Sequence, residues 1–82
     1  MNKVKVKVVS VKGVVWEGEG TSCSMANNIG PFDILVEHTQ FVTPIQEYIR
    51  VRNNDQIVWE KTLETSAICR VKDNMVEIWL GI

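Results

Sequence analysis

The side chains that most often carry chemistry are few in this sequence. It has one histidine, His38, and two cysteines, Cys23 and Cys69. A catalytic triad would need His38 as the base, an orienting acid such as Asp33 and a serine nucleophile, but no nucleophile-elbow motif supplies that serine. We therefore interpret His38 as a loop residue that hydrogen-bonds neighbouring backbone, with contact to a partner protein as the second interpretation.

A metal or cofactor site has equally little support. Zinc takes four protein ligands, or three plus water, and Cys23, Cys69 and His38 lack the paired spacing of zinc motifs. Two isolated cysteines without a Cys-x-x-Cys pair are typical of small buried residues in a reducing compartment rather than of a disulfide framework. The sequence also contains no phosphate-binding glycine loop and no dinucleotide fingerprint. It predicts no catalytic residue, no metal and no cofactor.

Length and composition limit the class of protein. With 82 residues, of which 45% are apolar, the chain is expected to form one domain over residues 1–82 with its own core. The net charge of −1 argues against a protein that clamps phosphate backbones. No apolar run is long enough to span a bilayer, and the N-terminus lacks the pattern of a secretory signal. We therefore expect a soluble, intracellular protein.

Alternation of polar and apolar residues predicts an all-β fold. Residues 3–8 alternate lysine with valine, which indicates a strand with one buried face and a lysine row that protects a sheet edge. Similar short segments recur at 14–16, 21–25, 32–36, 41–45, 48–52, 56–63, 66–71 and 75–80. Their spacing predicts a small flattened sandwich or barrel of about eight to ten short antiparallel strands in two sheets.

Local sequence signals refine this expectation for three segments. Residues 27–31, Asn-Asn-Ile-Gly-Pro, form the clearest loop, because Asn and Gly tolerate positive φ and Pro fixes its own φ. Residues 41–45 form a short apolar segment, and Pro44 predicts that this segment is a sheet edge or the end of a strand. Residues 43–50 are expected to form one helical turn at most, since no helical stripe of apolar residues is present.

The segment 21–26 gives a specific prediction about burial. Successive side chains of a strand point to opposite faces of its sheet. Cys23 and Met25 are therefore expected to be buried, whereas Ser22 and Ser24 are expected to be exposed or half-exposed.

A nucleic-acid surface is the remaining chemistry that the residues suggest. The lysines of residues 3–7 share one face, and the side chains available for base stacking would be Trp16, Tyr48 and Trp59, as in small OB-type barrels. The negative net charge opposes this reading, and tryptophan in a small sandwich is typically half-buried at the rim. From the residues alone, the sequence indicates a small all-β binding or structural module.

Two longer segments carry a more specific pattern. In residues 13–20, Trp16 is followed two positions later by Gly18. Residues 30–43 contain a glycine loop, an Ile-Leu pair, a histidine and an apolar strand with a threonine, at Gly30, Ile34, Leu35, His38 and Thr43. This pattern resembles the N-terminal β-sandwich domain of the ε subunit of F-type ATP synthases, called δ in mitochondria. The hairpin at 68–79 resembles the closing strands of that family.

The sequence departs from the family pattern at three positions. Val36-Glu37 stands where the family usually has Pro-Gly, and Ser66-Ala67 where it usually has Gly-Gly. Pro31 occupies a loop position that is often Glu in the family and that faces the membrane ring. The family's C-terminal helical hairpin, which carries ATP sensing and self-inhibition, does not follow residue 82, so neither property is expected of this chain.

The resemblance implies a rotor subunit in the central stalk of an F1Fo ATP synthase. The domain would link the γ subunit to the c-ring and couple ion-driven rotation to ATP synthesis, without a catalytic residue or cofactor of its own. It would lie peripherally at the cytoplasmic face of the cell membrane as part of the F1 sector, without inserting into the membrane and without binding nucleic acid. The alternative is a stand-alone β-barrel module that binds single-stranded nucleic acid or a glycan.

The resemblance also implies two contact surfaces. Contact with the c-ring is expected at the loop formed by Asn28, Ile29, Gly30, Pro31, Phe32 and Asp33. Contact with the γ subunit is expected at Glu37, His38, Thr39, Phe41, Val42 and Thr43.

Overall fold

Eight β-strands make up the described part of the chain. The computed structural model of the protein describes residues 3–35 and 40–81. The strands are β1 (Val4–Ser10), β2 (Gly13–Gly20), β3 (Ser22–Ala26), β4 (Pro31–Ile34), β5 (Phe41–Asn53), β6 (Gln56–Thr62), β7 (Ala67–Lys72) and β8 (Met75–Trp79). These two described ranges contain strands and turns but no helix, and hence no helical membrane span. The all-β prediction is confirmed.

The strands form two layers that share β5. In the first layer the strand order is β2-β1-β8-β7, followed by residues 41–45 of β5. In the second layer β4, β3, residues 46–53 of β5 and β6 lie side by side. The predicted two-sheet sandwich is therefore present, and β5 runs from one sheet into the other.

The pairing of β1 corrects two expectations. β1 and β8 run parallel, with Val6 opposite Val76, so the strands are not all antiparallel. β1 also lies between β2 and β8, so the lysine row does not protect a sheet edge. A local alternation pattern cannot reveal either fact, because the partner of β1 comes from the far end of the chain. The lysines point outward because Val4 and Val6 on the other face are buried.

Pro44 does not end its strand, but residues 41–45 form the edge of the first layer, which is the other alternative that the sequence predicted. β5 continues through it for 13 residues, with Pro44 opposite Ile68 of β7. Proline is tolerated there because, among the described residues, this half of β5 pairs with β7 alone, so the missing N–H interrupts no second ladder. β5 then changes layer at Glu47, whose φ of 76° marks the bend and whose carbonyl accepts a hydrogen bond from the Leu63 N–H at 2.8 Å. The single helical turn allowed for residues 43–50 is therefore strand instead.

The core fills the space between the two layers. Its members are the inward-facing side chains Val4, Val6, Val8, Cys23, Met25, Ile34, Ile45, Ile49, Val51, Ala67, Cys69, Val71, Val76 and Ile78. Cys23 and Met25 are fully buried and Ser22 is half-exposed, as predicted. Ser24 differs from the prediction, since only 4% of it is exposed. It lies on the outer face, but the Arg52 guanidinium donates a hydrogen bond to its hydroxyl at 3.3 Å and covers it.

The corner between β2 and β3 holds the layers close together. Only Thr21 connects the two strands, and its N–H donates to the Arg52 carbonyl at 2.7 Å. Its hydroxyl accepts a hydrogen bond from the Asn54 N–H at 2.8 Å. A Cβ at Gly20 would lie 2.5 Å from the same Arg52 carbonyl oxygen, which is backbone and cannot rotate away. The corner therefore requires glycine at position 20.

Gly20→Ala is expected to lower the free energy of unfolding by about 1–3 kcal/mol, the usual range for an overpacked site. The added methyl group would push β2 away from β5 at the corner. The measurement is the urea midpoint, with Ser22→Ala as a control that should change stability by less than about 0.5 kcal/mol. Equal midpoints for Gly20→Ala and the unchanged protein would contradict the close approach.

Candidate functional site

The chemistry-bearing side chains do not assemble into a reactive centre in the described residues. Within residues 3–35 and 40–81, no three His, Cys, Asp or Glu side chains are grouped to hold a metal ion. Burial raises the pKa of the Cys69 thiol to about 12. Burial, and then the neighbouring Cys69 and Asp33, raise the pKa of Cys23 as well. Thiols in this state are not nucleophiles, because the thiolate is the reactive form. His38 lies outside the described residues.

The loop predicted to face the c-ring is a tight hairpin turn between β3 and β4. Asn27 and Gly30 exchange two backbone hydrogen bonds, at 3.0 and 3.1 Å, so only Asn28 and Ile29 lie between them. The Asn27 side-chain oxygen accepts the Ile29 N–H at 2.9 Å and the Gly30 N–H at 3.2 Å. Gly30 has a φ of 145°, which favours glycine. The side chain of Asn27, the first residue of the turn, thus fixes the backbone of the turn, as is typical of Asx turns.

An apolar side chain is held at the tip of this turn. Ile29 is 91% exposed, and the adjacent Asn28 and Pro31 are exposed too. Of the remaining predicted loop residues, Asp33 is exposed and Phe32 is half-buried against the core.

The turn is tied to the strand that was predicted to face the γ subunit. The Asn27 side-chain amide donates to the Thr43 hydroxyl at 3.4 Å. The rings of Phe32 and Phe41 meet edge to face, with centroids 6.3 Å apart. The structure therefore brings residues of both predicted contact surfaces to one corner of the domain. The predicted residues Glu37, His38 and Thr39 lie outside the described part of the chain.

The three described residues of the predicted γ-contact strand point in two directions. Val42 faces outward and is 64% exposed. Phe41 and Thr43 are half-buried, since they lie opposite the buried residues Val71 and Cys69 of β7. Of these three, only Val42 offers an apolar side chain on the outer face.

Residues not predicted as a contact surface form an apolar stripe on the outer face of the first layer. The strand registers place one outward residue of each strand side by side, in the order Val14, Val9, Trp79, Ile68 and Pro44. Val14 and Pro44 are exposed and the other three are half-buried. Each of these residues lies at an outward-facing position of its strand, where a polar side chain is usually found. The sequence contained one sign of this stripe. Val9 continues the alternation that places Lys5 and Lys7 on the outer face, but its side chain is apolar.

The aromatic residues considered for base stacking are engaged with other side chains. Trp16 and Trp59 stack on each other with ring centroids 5.1 Å apart and an interplanar angle of 8°. Both pack half-buried against the core, in agreement with the rim position expected from the sequence. The Arg50 guanidinium covers the Tyr48 ring at 5.0 Å from its centroid. This arrangement does not offer a row of free rings to a nucleic acid.

Comparison with known proteins assigns the family. The fold is a two-layered β-sandwich domain with an apolar stripe on one face and an ordered apolar turn at one corner. Residues 3–80 match the family model of the ATP synthase, Delta/Epsilon chain, beta-sandwich domain. The chain therefore belongs to this family.

Two curated relatives are similar in sequence. The chloroplastic ATP synthase epsilon chain of Mesostigma viride is 28% identical over 76 residues, which cover 90% of this chain and 56% of the relative. The ATP synthase epsilon chain of Sulfurimonas denitrificans is 27% identical over 77 residues, which cover 93% of this chain and 58% of the relative. The chain thus spans a little over half the length of these curated relatives.

Solved structures share the fold. A chain in the cryo-EM structure of the Euglena gracilis mitochondrial ATP synthase, OSCP/F1/c-ring, has a TM-score of 0.82 at 12% identity and covers 98% of this chain and 51% of that chain. A chain in the Tetrahymena thermophila mitochondrial ATP synthase central stalk/c-ring structure has a TM-score of 0.72 at 13% identity, over 96% of this chain and 63% of that chain.

Asn27→Ala is expected to lower the free energy of unfolding by about 1 kcal/mol, because the Ile29 and Gly30 N–H groups lose their side-chain acceptor. The matched variant Asn27→Asp keeps that acceptor and gives up the amide donor to Thr43, so it should lose less. Urea denaturation of the two variants and the unchanged protein measures the difference. If Asn27→Ala is as stable as Asn27→Asp, the side chain does not hold the turn.

Proposed function

We propose that this chain is a central-stalk subunit of an F1Fo ATP synthase that joins the γ subunit to the c-ring. The observation that carries the proposal is the family match over residues 3–80, which leaves almost none of the described chain outside the domain. In this role the domain transmits rotation between its partners, and the reaction takes place elsewhere in the complex. It lies peripherally at the cytoplasmic face of the cell membrane with the F1 sector.

The architecture suits a coupling element. β5 is hydrogen-bonded into both layers, so a force applied to one layer reaches the other through continuous backbone. The turn at Asn28 and Ile29 offers the c-ring an apolar tip of fixed shape, held by hydrogen bonds from Asn27. In this proposal, the γ subunit contacts Glu37, His38, Thr39, Phe41, Val42 and Thr43. Of the three that the structure describes, Val42 presents an exposed apolar side chain.

A stable complex with γ is expected. Purified γ subunit from the same ATP synthase is mixed with the chain at about micromolar concentration and the mixture is separated by size exclusion. The two proteins should elute together, earlier than either alone. Separate elution at that concentration would contradict the rotor proposal.

Ile29→Asp is expected to weaken binding to the purified c-ring about tenfold or more, because a charge replaces the apolar tip of the turn. Val11→Asp is the matched control: Val11 is also 91% exposed, but it lies at the β1–β2 turn. Retention of each variant on immobilised c-ring in detergent measures the effect. Equal retention of the two variants would remove Ile29 from the c-ring contact.

A further inference from the structure

We propose that Asn27 couples the two partner contacts, so that binding of the γ subunit at β5 strengthens binding of the c-ring at the β3–β4 turn, and the reverse. This inference rests on the proposed function and gives a positioning role to a residue outside both predicted contact surfaces. Asn27 lies immediately before the turn residues Asn28 and Ile29. Its side chain has an acceptor end and a donor end, and each end binds a different contact surface.

The oxygen of the Asn27 side chain fixes the turn. It accepts the Ile29 N–H at 2.9 Å and the Gly30 N–H at 3.2 Å. The oxygen and nitrogen of a carboxamide leave one planar carbon in different directions. With the oxygen held by two donors of the turn, the nitrogen is directed away from it. The Asn27 side chain therefore cannot rotate freely while the turn is intact.

The nitrogen of the same side chain reaches the first layer. It donates to the Thr43 hydroxyl at 3.4 Å, and this hydroxyl donates in turn to the Pro44 carbonyl at 3.1 Å. Thr43 and Pro44 belong to the part of β5 that pairs with β7, before the bend at Glu47. The Asn27 side chain therefore connects the turn between two strands of the second layer to a strand of the first.

Side chains make this connection where backbone pairing has ended. The pairing of β3 with β5 stops one residue before Asn27. Beyond that point the turn is connected to the first half of β5 by the hydrogen bond to Thr43 and by the edge-to-face contact of the Phe32 and Phe41 rings. The hydrogen bond is the more directional of these two contacts, so it determines how the turn is oriented relative to β5.

A shared side chain makes the two binding equilibria depend on each other. A γ subunit bound at β5 restrains Thr43, which restrains the Asn27 side chain and with it the turn. The c-ring then meets a turn that has already lost part of its conformational entropy, so it binds more tightly. Thermodynamic linkage requires that the c-ring strengthen γ binding by the same factor. We expect a factor of about fivefold, at the lower end of the usual range, because the connecting hydrogen bond is long.

Thr43→Val tests the coupling, because it removes the hydroxyl, keeps the shape of the side chain and suits a strand. Dissociation constants from the c-ring, immobilised in detergent, are measured for the chain alone and for its complex with saturating γ. Any direct contact between γ and the ring is the same for every variant and cancels when the ratio of the two constants is compared. Thr43→Ser keeps the hydroxyl. Thr62→Val is the matched control, since Thr62 is exposed on β6 opposite Tyr48.

The ratio, chain alone over complex, should fall about fivefold in Thr43→Val and change less than about twofold in Thr43→Ser and Thr62→Val. An unchanged ratio in folded Thr43→Val overturns the inference, and so does an equal fall in Thr62→Val. If the unchanged chain binds neither γ nor the c-ring, the proposed function itself fails. If it binds both and Thr43→Val has no effect, only the coupling fails.

The amide resonances of Ile29 and Gly30 report on the turn directly. In NMR spectra of the isotope-labelled chain, γ should shift both resonances in the unchanged protein and in Thr43→Ser, and should leave them nearly in place in Thr43→Val. Asn27→Ser is the second variant, because serine keeps an oxygen for the turn but is one bond shorter toward Thr43. It should lose the shift as well. Shifts of full size in folded Asn27→Ser overturn the inference, even if Thr43→Val fails to fold by circular dichroism.

Discussion

The shared strand β5 is the constraint on which both layers depend. Residues 41–45 form backbone hydrogen bonds with β7, and residues 46–53 form them with β3 and β6. Neither layer can therefore rotate relative to the other without bending β5. The bend is made at Glu47, where a positive φ is accepted in a residue other than glycine. Strain of this kind persists only when surrounding contacts impose it, and here the Leu63 N–H binds the Glu47 carbonyl. The second crossing between layers, at Gly20 and Thr21, closes against the same strand through the Arg52 carbonyl.

This arrangement gives the domain two unlike outer faces. The inward-facing side chains of every strand form the core, so another protein can contact only the outward-facing side chains or the turns. The outer face of the second layer carries the Arg52–Ser24 and Arg50–Glu60 pairs beside the exposed Ile57. The outer face of the first layer carries the apolar stripe beside a row of charged residues. The turn at Asn28 and Ile29 lies at the corner where β5 begins, linked to it by the Asn27–Thr43 hydrogen bond. One sandwich therefore presents both an apolar stripe and an apolar turn on its surface.

Local patterns predicted much of the fold. The alternation of residues 3–8 and the hairpin turns follow from the two-residue period of a strand and from the φ preferences of Asn and Gly. The same rule predicted the burial of Cys23 and Met25 correctly. It failed for Ser24, because the Arg52 side chain of a neighbouring strand covers the hydroxyl. Alternation along one strand cannot predict a contact with a side chain of another strand. Of the two alternatives predicted for Pro44, the structure shows the sheet edge, because proline is tolerated where no second strand lies beside it.

For the contact surfaces, the sequence by itself determined the family pattern, the loop at residues 27–31 and the absence of any motif for catalysis. These depend on residue types at short spacing, which a chain displays before it folds. Only the tertiary structure decided that β1 pairs with β8 in parallel, that β5 serves both layers, and that Val42 faces outward while Phe41 and Thr43 do not. The apolar stripe belongs to this second group. Val14, Val9, Trp79, Ile68 and Pro44 are scattered along the chain, and they become neighbours only because hydrogen bonding between distant strands fixes their registers.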